Sequence, residues 1–412
     1  MIPQSEAQAF VLDSLTRLPA VTRTLQEAIG CVSTETLTAR EDVPRFANSA
    51  MDGYAVCSLD TENAPTQLVV KGQILAGDQP TLNLSPGTAI RIMTGAVLPV
   101  GADSVCPIED VTVTDDGHSV NISAKVARGA YVRQAGDDTA VGQVLLEAGD
   151  TVQAAHIGVL SGQDLASISV YPRPRVGILS TGNEISHEAT LVVGKIRDTN
   201  QPTLIAQLRR SNFEAINLGY CADDEVEIVA ALKRGARECD AVISTGGVSV
   251  GDVDLVKSAL TQLCNGRARW MQVAIKPGKP FAFGTVGDAR TPIFGLPGNP
   301  VSALVSFEIF VRPALNFLAG RSELMRPTLN AVLDCAIPKE PDAKTHYVHV
   351  YARFHHDGRL HVERTMHRGS HVLSAIGNAN AIAIVTGDHA LDAGDEAPTM
   401  ILDVERLGPR DP

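Results

Sequence analysis

The sequence predicts a multidomain α/β plus β protein built around a central, doubly wound, mostly parallel α/β domain. Three observations predict this. Between residues 176 and 318, short apolar runs alternate with amphipathic helical segments, the pattern of parallel strands joined by crossover helices. From about 50 to 170 the apolar runs shorten and are punctuated by Gly, Pro, Asp and Asn, a β texture. Beyond 326, strand-like runs recur without long helices. The resulting division is an N-terminal helical and extended region with a β-rich insert (1–170, two lobes), the α/β domain (171–322) and a small C-terminal β domain (323–412). Pro172-Arg173-Pro174-Arg175 and the stretch 320–326 read as linkers.

In chain order, Ser5 is positioned to cap a helix carrying Ala9, Phe10, Leu12, Leu15 and Leu18 and ending at Pro19. A second helical stretch covers 24–29. Asp115-Asp116-Gly117 between 111–113 and 120–122 is a hairpin signal, and one helix is expected near 154–163. In the α/β domain, strands are expected at 176–180, 215–220, 241–244, 272–275, 281–284 and 292–296. Helices are expected at 200–210, 224–237, 252–263 and 300–318. C-terminal strands are expected at 332–337, 348–354, 360–364 and 381–386.

Charge narrows the function. There are 35 Lys+Arg against 47 Asp+Glu, a net −12, which disfavours nucleic acid as a partner because phosphate neutralisation drives that binding. The uncharged apolar stretches are too short for a membrane span, and the N-terminus lacks a secretory pattern. Seven scattered Cys without a Cys-x-x-Cys pair read as reduced thiols of a cytoplasmic protein.

Ligands of open parallel sheets bind beyond the carboxyl ends of the strands. Three Gly-bearing loops leave strands there: 180–184 (Ser-Thr-Gly-Asn-Glu, with Gly182), 244–252 (with Gly246 and Gly247) and 295–302 (with Pro297, Gly298 and Ser302). Such loops turn tightly or present N–H groups to an anion. Lys276-Pro277-Gly278-Lys279-Pro280 follows a strand, and its two Lys can converge on one anion; an exposed basic turn is the alternative. Asp224 and Asp252 suit helix capping, which leaves Glu184, Asp223 and Asp254 as carboxylates suited to Mg²⁺ beside a polyphosphate. The segments 48–56 (containing Asp52) and 91–96 (containing Thr94) read from physics alone as turns. The C-terminal domain is rich in His, but His355-His356-Asp357-Gly358 reads as a hairpin turn and not as a metal cluster. Gly369-Ser370-His371 is an N-cap or a further anion loop.

Taken in order, 48–56, 91–96, 180–184, 244–251, 276–284, 295–302 and 369–371 resemble the molybdopterin molybdenumtransferase (MoeA) family, which includes the gephyrin E domain. The resemblance covers essentially the whole chain. It implies a homodimer, a central molybdopterin-binding domain and a C-terminal β-barrel-like domain. It also implies insertion of molybdenum from molybdate into adenylylated molybdopterin with AMP release, assisted by Mg²⁺. A molybdopterin adenylyltransferase is the alternative enzyme, or the partner that delivers the pterin; a non-catalytic gephyrin-like scaffold is the other alternative.

By motif, Lys276, Lys279 and Ser302 match molybdate-binding groups, with Pro280, Pro297 and Gly298 in the same loops. Asp223 and Asp254 match acidic positions acting through Mg²⁺. Glu184, Gly182, Gly246 and Gly247 match the nucleotide and pterin cleft. Asp52 and Thr94 match positions contributed by the partner subunit, and Ser370 matches a motif Ser. Two positions depart from the family pattern. Gln272 stands where a basic residue is frequent, and His349 stands where a Phe-x-Arg context supplies Arg. If His349 replaces that Arg, its charge, and with it molybdate affinity, should fall as pH rises through neutrality.

Overall fold

The computed structural model describes residues 1–79, 81–246, 255–339, 341–365 and 372–408. The central sheet contains six strands in the order Glu214–Cys221, Arg175–Thr181, Ala241–Thr245, Thr291–Leu296, Pro280–Val286, Ala268–Gln272. The first four are mutually parallel, and Pro280–Val286 runs antiparallel to both its neighbours, Thr291–Leu296 and Ala268–Gln272. The fully buried Ala241–Thr245 and Thr291–Leu296 strands account for the near-continuous apolar runs in the sequence. Helices Glu225–Glu238 and Leu255–Leu263 cover one face through Ile228, Leu232, Val256 and Leu260. The other face is covered by Asn200–Arg210, Pro300–Leu318 and the N-terminal helix Gln4–Asp13.

Several elements differ from expectation. The first helix starts after Pro3, with no side-chain cap from Ser5, and ends at Asp13. Thr24 is the cap of a one-turn helix, Leu25–Ala28, whose capping box is completed by Glu27. It ends a strand, Val21–Thr24, paired with Ser167–Tyr171. The run 272–275 divides: Ala268–Gln272 ends in the central sheet, and Ile275–Lys276 pairs elsewhere. The expected hairpin at 115–117 joins Val111–Val113 to Ser119–Ile122 inside a six-stranded sheet of the N-terminal β lobe.

The C-terminal strands Thr345–Phe354, Leu360–Arg364, Thr328–Leu333, Glu396–Ile401 and Ala381–Val385 pair in that order. Ala381–Val385 then returns to Thr345–Phe354, closing a five-stranded barrel. Closure removes free sheet edges. Ile275–Lys276, from the central domain, adds in parallel to its rim, Ile275 opposite Thr345 and Lys276 opposite His346.

The 19-residue Pro300–Leu318 helix is long and apolar enough by composition to cross a membrane, yet 83% of it is buried inside the protein. It turns π-helical over Phe307–Val311. There Glu308, 3% exposed, takes a forked pair of bonds from Arg326 (2.6 and 3.0 Å) and lies 4.0 Å from Arg312. Arg326 leads into the barrel, so this pair ties the barrel to the core helix. Glu308→Ala leaves two arginines buried without their carboxylate and should cost about 3–5 kcal/mol. Denaturant unfolding checks this; a loss under about 1 kcal/mol contradicts a structural role for the pair.

Candidate active site

A cavity of about 520 Å³ opens between the central domain and the barrel. The central domain contributes the 276–280 loop and Ser302, and the barrel contributes Lys344, His346, His349 and Arg364. Four Lys or Arg side chains line it, and no Asp or Glu does so among the described residues. In a chain of net charge −12, this segregation makes a local positive field suited to a small anion.

The loop is held by close packing. Gly278 has φ +98, and a Cβ there would lie 2.9 Å from Ser306 Oγ and 3.4 Å from Ser302 O. Only glycine lets the loop lie against the helix that carries Ser302. Val273 N donates to Lys279 O (2.8 Å), closing the loop at its base. Lys276, Lys279, Pro280, Ser302 and His349, all expected from sequence, meet in this one cavity.

A second group gathers at the carboxyl ends of the parallel strands. Gly182 has φ +139, and its missing Cβ leaves room for the Glu184 carboxylate. Gly246, at φ +91, lets the backbone pass within contact of Thr181 O. Asp223 and Asn183 are locked reciprocally: Asn183 N donates to Asp223 Oδ2 (2.9 Å) and Asp223 N to Asn183 Oδ1 (3.0 Å). Asp224 caps the following helix through Glu227 N (3.0 Å), so the two adjacent carboxylates have different work.

Sequence reasoning missed Asp198, and gave Asn200 only a place at the start of the helix 200–210. Asp198 accepts from Ser180 Oγ (2.5 Å) and Gln201 N (3.1 Å), and Asn200 Nδ2 donates to Gly298 O (2.8 Å). Gly298 approaches Gly246. The 295–302 loop therefore touches the carboxylate-bearing cleft at Gly298 and the cationic cavity at Ser302. Pro297 belongs to this loop without lining the cavity. Gly247, Asp254 and Ser370 lie outside the described residues.

Asp52 and Thr94 are brought together, but not to the cavity lining. Asp52 Oδ1 accepts from Thr94 N and Thr94 Oγ1, both at 2.7 Å, on the exposed surface of the N-terminal β lobe. Those bonds, the backbone one first, hold the Asp52 carboxyl below its ordinary range. In the barrel, Asp334, His355 and His361 place potential ligand atoms within 4.8 Å of one another. The two imidazoles stack in parallel at 3.9 Å, so their lone pairs do not converge, and both His361 nitrogens already face Asp334 and Asp357.

A model of the MoeA N-terminal region (domains I and II) matches residues 2–163, a probable molybdopterin-binding domain matches 177–316, and the MoeA C-terminal region (domain IV) matches 330–402. A molybdopterin molybdenumtransferase of Haemophilus influenzae is 34% identical over 405 residues, 97% of this chain and 98% of that protein. The chain belongs to the molybdopterin molybdenumtransferase (MoeA) family. Molybdopterin molybdenumtransferase 2 of Mycobacterium tuberculosis is 38% identical over 342 residues, 81% of this chain and 83% of that one. A crystal structure of the molybdopterin biosynthesis MoeA protein of Pyrococcus horikoshii superposes with a TM-score of 0.80 at 27% identity, covering 97% of this chain and 100% of that one.

Burial bears on the charge expected of His349. The ring is buried, and burial pushes its pKa down to about 4. The ring is therefore mostly neutral at pH 7 in the ligand-free protein, unlike the half-titrated imidazole expected from sequence. Its folded pKa lies below that of the unfolded chain, near 6.5, so the unfolded chain binds the proton first as pH falls. His349 therefore contributes stability that is complete above about pH 6.5 and lost on acidification toward about pH 4. Replacing it, as His349→Gln, should flatten the acid limb of melting temperature against pH in that window. An unchanged slope contradicts a buried neutral imidazole.

Proposed function

We propose that this enzyme inserts molybdenum from molybdate into adenylylated molybdopterin and releases AMP. The observation that carries the reading is the adjacency of a cationic cavity, with no Asp or Glu in its lining among the described residues, to a carboxylate-bearing, Gly-rich cleft, joined by one loop. Molybdate is a small dianion. Lys276, Lys279 and Ser302 are placed to receive it with charge-assisted hydrogen bonds. The nucleotide and pterin lie along Gly182, Gly246 and Gly298, where the missing side chains let the backbone approach phosphate groups. Rate enhancement comes chiefly from holding the oxyanion against the dithiolene in a preorganised field.

The donor set at the cleft fits Mg²⁺. Asp223 and Glu184 are hard oxygen ligands on a sparsely liganded, exposed rim, and Asp254 belongs to the same set by motif. When bound, Mg²⁺ would supply charge neutralisation at the phosphoanhydride. The backbone bond from Asn183 keeps the Asp223 carboxylate oriented. We assign Asp52 and Thr94 to the cleft of a second copy in a homodimer, since within one chain they pair with each other away from the cavity. A separate molybdopterin adenylyltransferase is the partner that supplies the substrate. Seven free cysteines suit a reducing cytoplasm.

Lys279→Ala tests the reading. It should raise the molybdate needed for half-maximal insertion by about tenfold or more, the range of one charge-assisted contact, with little change in binding of the adenylylated pterin. Mixed with Asp52→Ala protein under conditions of verified subunit exchange, it should recover part of the activity through hybrid dimers. Equal molybdate dependence in mutant and parent contradicts the oxyanion assignment, and absence of recovery contradicts the composite site.

A further inference from the structure

The barrel side of the cavity poses a question of charge. His349 reaches it as a neutral ring. Arg364 lines the same wall from the neighbouring strand, in register with Val350, and its Nη1 is anchored on Ala336 O at 3.2 Å. Lys344 lines the wall just before the strand Thr345–Phe354 begins.

Its approach is shaped by Asp342, which is outside the lining. That carboxylate accepts from Lys344 N (3.1 Å) and Lys344 Nζ (3.1 Å), and contacts His346 Nε2 at 3.0 Å. It also lies 3.5 Å from the buried Lys339 ammonium. One carboxylate facing two ammonium groups leaves this cluster one positive charge in excess. Lys344 and His346 of this cluster line the cavity, which Lys276 and Lys279 of the central domain line as well. Burial, opposed by Asp342, pushes the His346 pKa below its ordinary value, with Lys339 and Lys276 adding to the lowering. The lasting charges of the barrel wall are therefore Lys344 and Arg364.

We propose that Lys344 and Arg364 are the barrel's oxyanion-binding groups, and that Asp342 is the positioning residue that holds the Lys344 ammonium at the cavity. This rests on the oxyanion reading above and assigns it four cations from two domains. Lysine and arginine stay protonated through neutrality. The charged groups against His346 are Asp342, Lys339 and Lys276, and Lys344 and Arg364 line the same cavity. Molybdate affinity is therefore flat between about pH 6.5 and about pH 8.

The test is calorimetric titration of the full-length protein with molybdate, with thermal unfolding as a control. Arg364→Gln and Lys344→Gln should each weaken binding by about 10- to 100-fold, the range of one charge-assisted hydrogen bond, and Arg364→Lys should retain most of it. In an Arg364→Gln background, His349→Arg should restore affinity, because it returns a cation to the same cavity; this variant also carries the test if Arg364→Gln alone folds poorly. Asp342→Asn should weaken binding, and adding Lys344→Gln to it should cause little further loss. Parent-like affinity in both Gln variants overturns the proposal, and additive losses in the Asp342 and Lys344 pair overturn the positioning role. If the parent binds molybdate in a Lys279-dependent way while the barrel variants match it, this inference alone fails. If the parent binds no molybdate, the oxyanion reading fails with it.

Discussion

The site depends on one short strand pairing. Ile275 and Lys276 leave the central sheet and add to the rim of the barrel, opposite Thr345 and His346. This two-residue ladder brings the Lys-Pro-Gly-Lys-Pro loop against the wall that carries Lys344, His349 and Arg364. Without it, the two halves of the cavity would be separate basic surfaces, screened by solvent and weak as anion sites. The Glu308–Arg326 pair and the packing of Gly278 on Ser306 hold the same junction from the other side. The buried pair gains its importance from where it sits, since ion pairs of this kind add little net stability by themselves.

The second organising feature is separation of charge. Among the described residues, carboxylates are absent from the lining of the cavity and collect in the neighbouring cleft, where Glu184, Asp198 and Asp223 lie. The 295–302 loop spans both, through Gly298 and Ser302. A substrate with a phosphoanhydride at one end and a metal-accepting dithiolene at the other suits that layout. Burial pushes the imidazoles near the cavity, His346 and His349, toward neutrality, and the other basic side chains of the lining are Lys276, Lys279, Lys344 and Arg364.

Much of this was legible in the sequence, and the reasons are local. The strand Arg175–Thr181 and the helix Glu225–Glu238 follow from apolar period and from Asp224 as cap. The loops at Gly182, Gly246 and 276–280 declared themselves by residue type at strand ends. What escaped was tertiary. The run 272–275 looks like one strand because periodicity cannot show that the chain changes sheets between Gln272 and Ile275. The last barrel strand, Glu396–Ile401, contains Pro398, which argues against a strand by sequence rules although Asn330 pairs opposite it. Lys344 and Arg364 carry no motif, and only barrel closure brings them to the cavity. His349 lines the cavity with Lys276 and Lys279, and its burial, which lowers its pKa, cannot be read from its neighbours in the chain.

The central claim is that the oxyanion site lies between two domains. Anomalous X-ray scattering at the molybdenum edge from crystals of this enzyme soaked in molybdate tests it most directly. The account predicts a single strong peak per subunit in the cavity between Lys279 and Ser302 on one wall and Lys344 and Arg364 on the other. A peak in the cleft beside Gly182 and Gly246, with none between the domains, would contradict it.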